Sequence, residues 1–240
     1  MKIKEIISTI FDKIIPPKNK CLLCSKELFF DTEKQLCKDC EKALKPIEKS
    51  CIKCGVEIKD LSSVCAFCKD KKHEFKRAIS CFNFDDFTSK IIHKFKYGNA
   101  EYLAPLLSKF MVEKLDEFEI DFDYVLFVPM TSKREKERGY NQGKLLAIEI
   151  GKMKDKPVLS DVLFKIGKTK NQASLGYNDR LKNLKGSFVV TNKDKIKGKR
   201  ILLVDDVFTT GATVDEVSRV LKLAKVKEIN VITFCHTLLD

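Results

Sequence analysis

No run of 18 apolar residues occurs in this 240-residue chain, so no segment of it is expected to span a membrane. The opening stretch, MKIKEIISTIFDKII, also lacks the build of a secretory signal. Acids and bases are mixed among its apolar residues, and no small-residue cleavage site follows. Histidine is scarce: His73, His93 and His236 stand alone, none with an acid or nucleophile at motif spacing, so none is assigned chemistry. Low-complexity tracts are missing, and no repeat appears outside the cysteines. Acids are outnumbered, 34 against 46 Lys/Arg, for a net charge of +12. Residues 1–80 hold 18 basic and 12 acidic side chains, so half of that excess sits in the first third of the chain. Such a field favours polyanions such as nucleic acid or anionic lipid. A lysine-rich solvated surface accounts equally well for most of these lysines.

What is present suits a packed core, with 44% hydrophobic residues, and a length fitting one domain plus a smaller module. The chain is organised around Ile201 to Thr213, ILLVDDVFTTGAT. The apolar run Ile201-Leu202-Leu203-Val204 reads as a strand buried on both faces. Asp205 and Asp206 follow, then Val207 and Phe208, then Thr209, Thr210, Gly211, Ala212 and Thr213 ahead of an amphipathic helix whose apolar face carries Val214, Val217, Val220 and Leu221. A strand, a tight Thr/Gly turn and a helix start form an anion cradle, because free backbone N–H groups and the helix dipole point into the turn. The two carboxylates are acceptors suited to sugar hydroxyls. Together these features want a sugar phosphate. The alternative is an ordinary strand–turn–helix carrying two solvated acids.

The second signal is cysteine. Cys21/Cys24, Cys37/Cys40, Cys51/Cys54 and Cys65/Cys68 are four successive C-x-x-C pairs separated by 12, 10 and 10 residues. Two thiolates on one tight turn hold half of a metal site, and a second turn completes a tetrahedron. Eight such cysteines predict two structural Cys₄ zinc sites. The pairing stays open between sequential and interleaved arrangements, and Gly55 after Cys54 suits the left-handed turn of a knuckle. A disulfide framework fits poorly with the cytoplasmic character of the chain, and four tandem copies exceed what a redox C-x-x-C uses. Cys81 and Cys235 lie on apolar, strand-like segments and read as core.

Along the chain, residues 2–15 predict an amphipathic helix stopped by Pro16 and Pro17. Residues 78–84 and 124–128 predict strands; 88–97, 101–115 and 144–153 predict helices. Met130 to Gly143 predicts a basic loop at the carboxyl end of a strand, where Arg134 and Arg138 could grip a pyrophosphate bidentately. Residues 165–186 predict either a mobile lid or a surface connection. Strands at 187–190, 201–205 and 228–235 are expected to complete the sheet. The expected domains are a helix over 1–17, a double ribbon over 18–75 and an α/β domain over 77–240.

ILLVDDVFTTGAT resembles the phosphoribosyl pyrophosphate (PRPP) motif of type I phosphoribosyltransferases. The four C-x-x-C pairs, Lys96-Tyr97-Gly98, RGYNQ (Arg138 to Gln142), Thr169…Gln172…Leu175…Arg180…Asn183 and VDDVFTTGAT stand in the order of the ComF family, which the chain resembles over residues 20–240. The family often carries arginines just before the Thr169-equivalent position, where this chain has Lys165 and Lys168.

The resemblance implies a Rossmann-like, mainly parallel five-stranded sheet behind an N-terminal double zinc ribbon. It implies Asp205 and Asp206 on the ribose hydroxyls, and Thr209, Thr210, Gly211, Ala212 and Thr213 on the 5′-phosphate. Pro129, Met130, Thr131 and Ser132, with Arg134 and Arg138, would form the pyrophosphate loop, with Mg²⁺ if the site is catalytic. It further implies a role in natural transformation: helping single-stranded DNA enter the cytoplasm beside a DNA translocase at the inner face of the inner membrane. Two other readings stay open. One is an active PRPP-dependent transferase on an unidentified base. The other is an adaptor of the translocase without catalysis.

Overall fold

A computed structural model of the chain describes residues 19–28, 34–166 and 184–237. The expected helix over 2–15 and the stretch holding Lys168, Thr169, Gln172, Leu175, Arg180 and Asn183 lie outside them.

The described chain begins with two cysteine knuckle pairs carrying short helices, α1 (Lys38–Ala43) and α2 (Ala66–Lys69). Then come β1 (Arg77–Asn83), α3 (Asp86–Tyr97), α4 (Ala104–Glu117), β2 (Tyr124–Phe127), α5 (Ser132–Arg138) and α6 (Gln142–Met153). The last part holds β3 (Leu163–Lys165), β4 (Phe188–Val190), β5 (Arg200–Phe208), α7 (Ala212–Leu223) and β6 (Glu228–His236). Local signals explain the boundaries. Asp85 caps α3 in a capping box with Thr88. Asn141 caps α6 by accepting from the Lys144 N–H. Pro105 stands in the first turn of α4, where its missing N–H has no partner to lose.

Four strands form one parallel sheet in the order β1-β6-β5-β2. The fifth place is rudimentary: beyond β2, Val158 alone makes a parallel bridge to Val125. The stretch expected at 187–190 does form a strand, but it pairs antiparallel with β3 in a separate ribbon. A short apolar run shows that a strand forms and is silent about its neighbour.

Side chains alternate across β5. Leu202 and Val204 face a core with α3, α4 and α6, including Phe95, Leu107, Met111 and Ile150. Ile201 and Leu203 face a second core with α7 and the β3–β4 ribbon, including Val217, Leu221 and Phe188. The cysteine ribbons divide between these faces. Cys21, Leu22, Leu36, Cys37 and Cys40 belong to the first core, and Cys51, Cys54, Val56, Ile58 and Cys68 to the second. Each ribbon is thus continuous with the α/β core on its own side of the sheet. Cys81 on the edge strand β1 and Cys235 on its neighbour β6 are both buried as core.

Helix α6, which follows β2, covers one face, and α7, which follows β5, covers the other. Adjacent strands whose following helices diverge leave a crevice at their carboxyl ends. That crevice is the candidate site.

Candidate ligand cleft and cysteine sites

The eight paired cysteines gather into two tetrads, Cys21/Cys24/Cys37/Cys40 and Cys51/Cys54/Cys65/Cys68, the sulfurs of each within 4.8 Å of one another. The pairing is therefore sequential. Cys24 and Cys37 place their sulfurs 3.7 Å apart, as do Cys54 and Cys65. Zinc–sulfur bonds of about 2.3 Å put tetrahedral sulfurs about 3.8 Å apart, so the spacing fits the metal. Backbone N–H groups point at the sulfurs, Cys40 toward Cys37 Sγ at 3.5 Å and Cys65 toward Cys51 Sγ at 3.4 Å. Ser25 and Gly55, each directly after the second cysteine of a knuckle, both adopt positive φ, 63° and 78°. All ten cysteines are free of disulfides. Four thiolates leave no open coordination position, so these sites are structural rather than catalytic.

The cleft at the sheet's carboxyl edge has a volume of about 140 Å³. Of the residues singled out from sequence, Pro129, Met130, Arg134, Arg138, Asp205, Asp206 and Thr213 line it. Thr131 and Ser132 do not; Thr131 caps α5, and Ser132 opens it. The expected loop between Met130 and Gly143 thus contains a helix, because Thr131 supplies an N-cap and Gly139 ends the turn at φ 83°. Thr209 and Thr210 are not among the lining side chains, Ala212 is buried, and Gly211 sits at φ 79° ahead of α7. Nor do the aspartates follow the strand. Both lie inside β5, which runs on to Phe208.

Three further lining residues carry charge or hydrogen-bonding groups, Asn141, Gln142 and Lys165, and Lys96 pairs with the lining Asp206 at 2.8 Å. Burial works against the Lys96 ammonium, but the Asp206 carboxylate outweighs it and raises its pKa. Asp205 is pushed up to about 8, by burial first and by the adjacent Asp206 charge second. Lys165 is lowered, by burial and then by the Arg134 charge. The Arg138 guanidinium donates to Gln142 Oε1 at 3.2 Å and to the Tyr97 hydroxyl at 3.0 Å, while Tyr140 donates to the Phe95 carbonyl at 2.6 Å. The Lys96-Tyr97-Gly98 and RGYNQ motifs are therefore two halves of one clasp. Only their order in the chain hinted at this.

His73, assigned no chemistry from sequence, is buried between Cys68 and Asp215. An isolated histidine gives no signal when its partner lies 142 residues away.

Residues 157–238 match the phosphoribosyl transferase domain family, and residues 10–79 the double zinc ribbon domain family. The chain is 27% identical over 219 residues to "Competence protein F" of Haemophilus influenzae, covering 88% of this chain and 94% of that protein. It is 28% identical over 233 residues to "Competence protein ComFC" of Bacillus subtilis, covering 89% and 92%. To "DNA utilization protein YhgH" of Salmonella typhimurium it is 25% identical over 224 residues, covering 91% and 97%.

Proposed function

We infer the function from what the chain is similar to: competence protein F, ComFC and YhgH over most of its length, with residues 10–79 matching the double zinc ribbon domain and residues 157–238 the phosphoribosyl transferase domain. On that premise we propose that the cleft binds PRPP or a related ribose phosphate, and that the protein serves internalisation of single-stranded DNA. The observation that carries the reading is the gathering of two adjacent carboxylates with Arg134, Arg138 and Lys165 at the start of α7. Asp205 and Asp206 accept from the ribose hydroxyls. The 5′-phosphate takes the N–H groups of the 209–213 turn. Arg134 and Arg138, beside the Pro129–Ser132 backbone, hold the pyrophosphate, which Mg²⁺ would accompany. Zinc in both tetrads holds the ribbons.

Asp206→Ala is expected to weaken PRPP binding by at least about tenfold, the size of one lost charge-assisted hydrogen bond, while leaving inorganic phosphate within about twofold. Calorimetry with both ligands checks this, and equal loss of the two would overturn the assignment. Pyrophosphate release from PRPP across a panel of bases reads the enzymatic alternative in the same samples.

Single-stranded DNA and a DNA translocase are the partners that this role requires. A second cleft, of about 330 Å³, is bordered by Lys53, Lys69, Lys71, Lys72 and Lys76 beside the second tetrad, and supports a phosphate-backbone contact there. Phe67 packs against the core and lies under Lys71 Nζ at 3.8 Å, an arrangement that suits core packing rather than base stacking. Binding is expected to fall with salt at a log–log slope of about −0.7 per phosphate contacted. A slope near zero in a filter or anisotropy titration would remove the electrostatic contact. No helix among the described residues is long and apolar enough to cross a membrane.

A further inference from the structure

Two side-chain paths lead from the second cysteine tetrad to the floor of the ligand cleft, and the function proposed above uses neither. His73 follows Cys68 by five residues and is buried. Its Nε2 lies 3.3 Å from Cys68 Sγ, and its Nδ1–H donates to Asp215 Oδ2 at 2.8 Å. The other Asp215 oxygen accepts the Glu74 N–H at 2.9 Å. Asp215 stands in the first turn of α7, two residues past Thr213, and its own N–H donates to the Gly211 carbonyl at 2.8 Å. A first-turn acid commonly faces water, where it complements the helix dipole. This one is buried against the segment leaving a metal knuckle.

The second path is aromatic. The His73 ring stacks on Phe75 at 4.7 Å, and Phe75 meets the Phe208 ring edge-on at 6.1 Å. Phe208 ends β5 and lies directly under Gly211, where a Cβ would come within 2.6 Å of the ring. Residues 73–75 thus touch both the helix that starts at the cleft and the ring that supports its turn.

We propose that His73 is a positioning residue that holds the first turn of α7, so that metal in the Cys51/Cys54/Cys65/Cys68 site and ligand in the cleft bind cooperatively. His73 is held from both sides, by a sulfur fixed in the metal tetrad and by a carboxylate fixed on α7. Releasing the metal frees the Cys68 knuckle and removes one of the two supports. Coupling of this kind is reciprocal, so a ligand that stabilises the turn also retains the metal. The ligand half of the proposal rests on the ribose-phosphate reading; the positioning half does not.

The experiment uses the full zinc-loaded chain as wild type, His73→Ala and the near-isosteric Asp215→Asn. Hydrogen exchange of amides 212–216 is expected to speed about tenfold in both variants with both metal ions still bound. PRPP affinity is expected to fall about tenfold, within the usual range of such couplings. Saturating PRPP should slow zinc loss to a chelator in the wild type and not in His73→Ala. Unchanged exchange at 212–216 in both variants overturns the proposal, as does a wild type that binds PRPP measurably but no more tightly than His73→Ala. If the wild type binds neither PRPP nor inorganic phosphate while exchange still rises, the ribose-phosphate function fails and the positioning role stands. If His73→Ala does not fold, Asp215→Asn decides.

Discussion

Replacing Cys54 by serine is expected to unfold the whole chain rather than the second ribbon alone. Cys54 is fully buried, in one core with Leu126, Leu203, Val217 and Val231. The knuckle that carries it is pressed onto the sheet. The Ala78 N–H donates to the Lys53 carbonyl at 2.8 Å, and a Cβ on Gly55 would come within 2.8 Å of the Ala78 carbonyl oxygen. Losing one of four thiolates costs the metal, whose binding is worth about 10–16 kcal/mol in free-standing zinc modules. A domain's whole stability is only about 5–15 kcal/mol. Sequence alone suggests an α/β domain over 77–240 that would survive this change; the shared core predicts that it does not. The wild type should hold two zinc ions per chain by elemental analysis. Far-ultraviolet circular dichroism reads the remainder, because among the described residues the long helices lie outside the ribbons. A Cys54→Ser protein that keeps its helical signal and its cooperative melt while losing one zinc would show the ribbon to be separable.

Gly211→Ala is expected to be the most damaging single substitution at the cleft. Gly211 has φ 79°, which costs an alanine about 1–2 kcal/mol. Its new methyl group would lie 2.6 Å from Phe208 Cζ. Phe208 cannot simply swing away, since it is buried, stacks on His236 at 4.6 Å and meets Phe75 on its edge. Overpacking of this kind costs about 1–3 kcal/mol more. A urea titration should therefore show a loss of about 2–5 kcal/mol, the sum of those two costs. Because the turn itself must shift, both PRPP and inorganic phosphate should be lost, unlike the selective loss expected for Asp206→Ala. A variant that still binds phosphate normally would separate the turn from phosphate binding.

The features legible in the linear chain are those whose parts sit within one turn of each other. Each C-x-x-C pair places two sulfurs on one knuckle. The run from Ile201 to Thr213 holds strand, carboxylates and helix start together, so both the cysteine clusters and this strand–turn–helix could be read by spacing alone. Capping and periodicity located most helices and strands to within a few residues for the same reason, since the forces that start and stop them are local. What only the tertiary structure decided are relations across the chain. Sequential tetrads follow from the ribbons lying on opposite faces of the sheet, which no spacing specifies. Lys96 meets Asp206 because α3 ends beside the carboxyl end of β5, and Lys165 enters the cleft because β3 pairs with β4 rather than with the main sheet. His73 finds Asp215 across 142 residues. Buried polar groups must find partners wherever the fold brings them, and which partner each one meets is set by strand order and by the helix that covers each face.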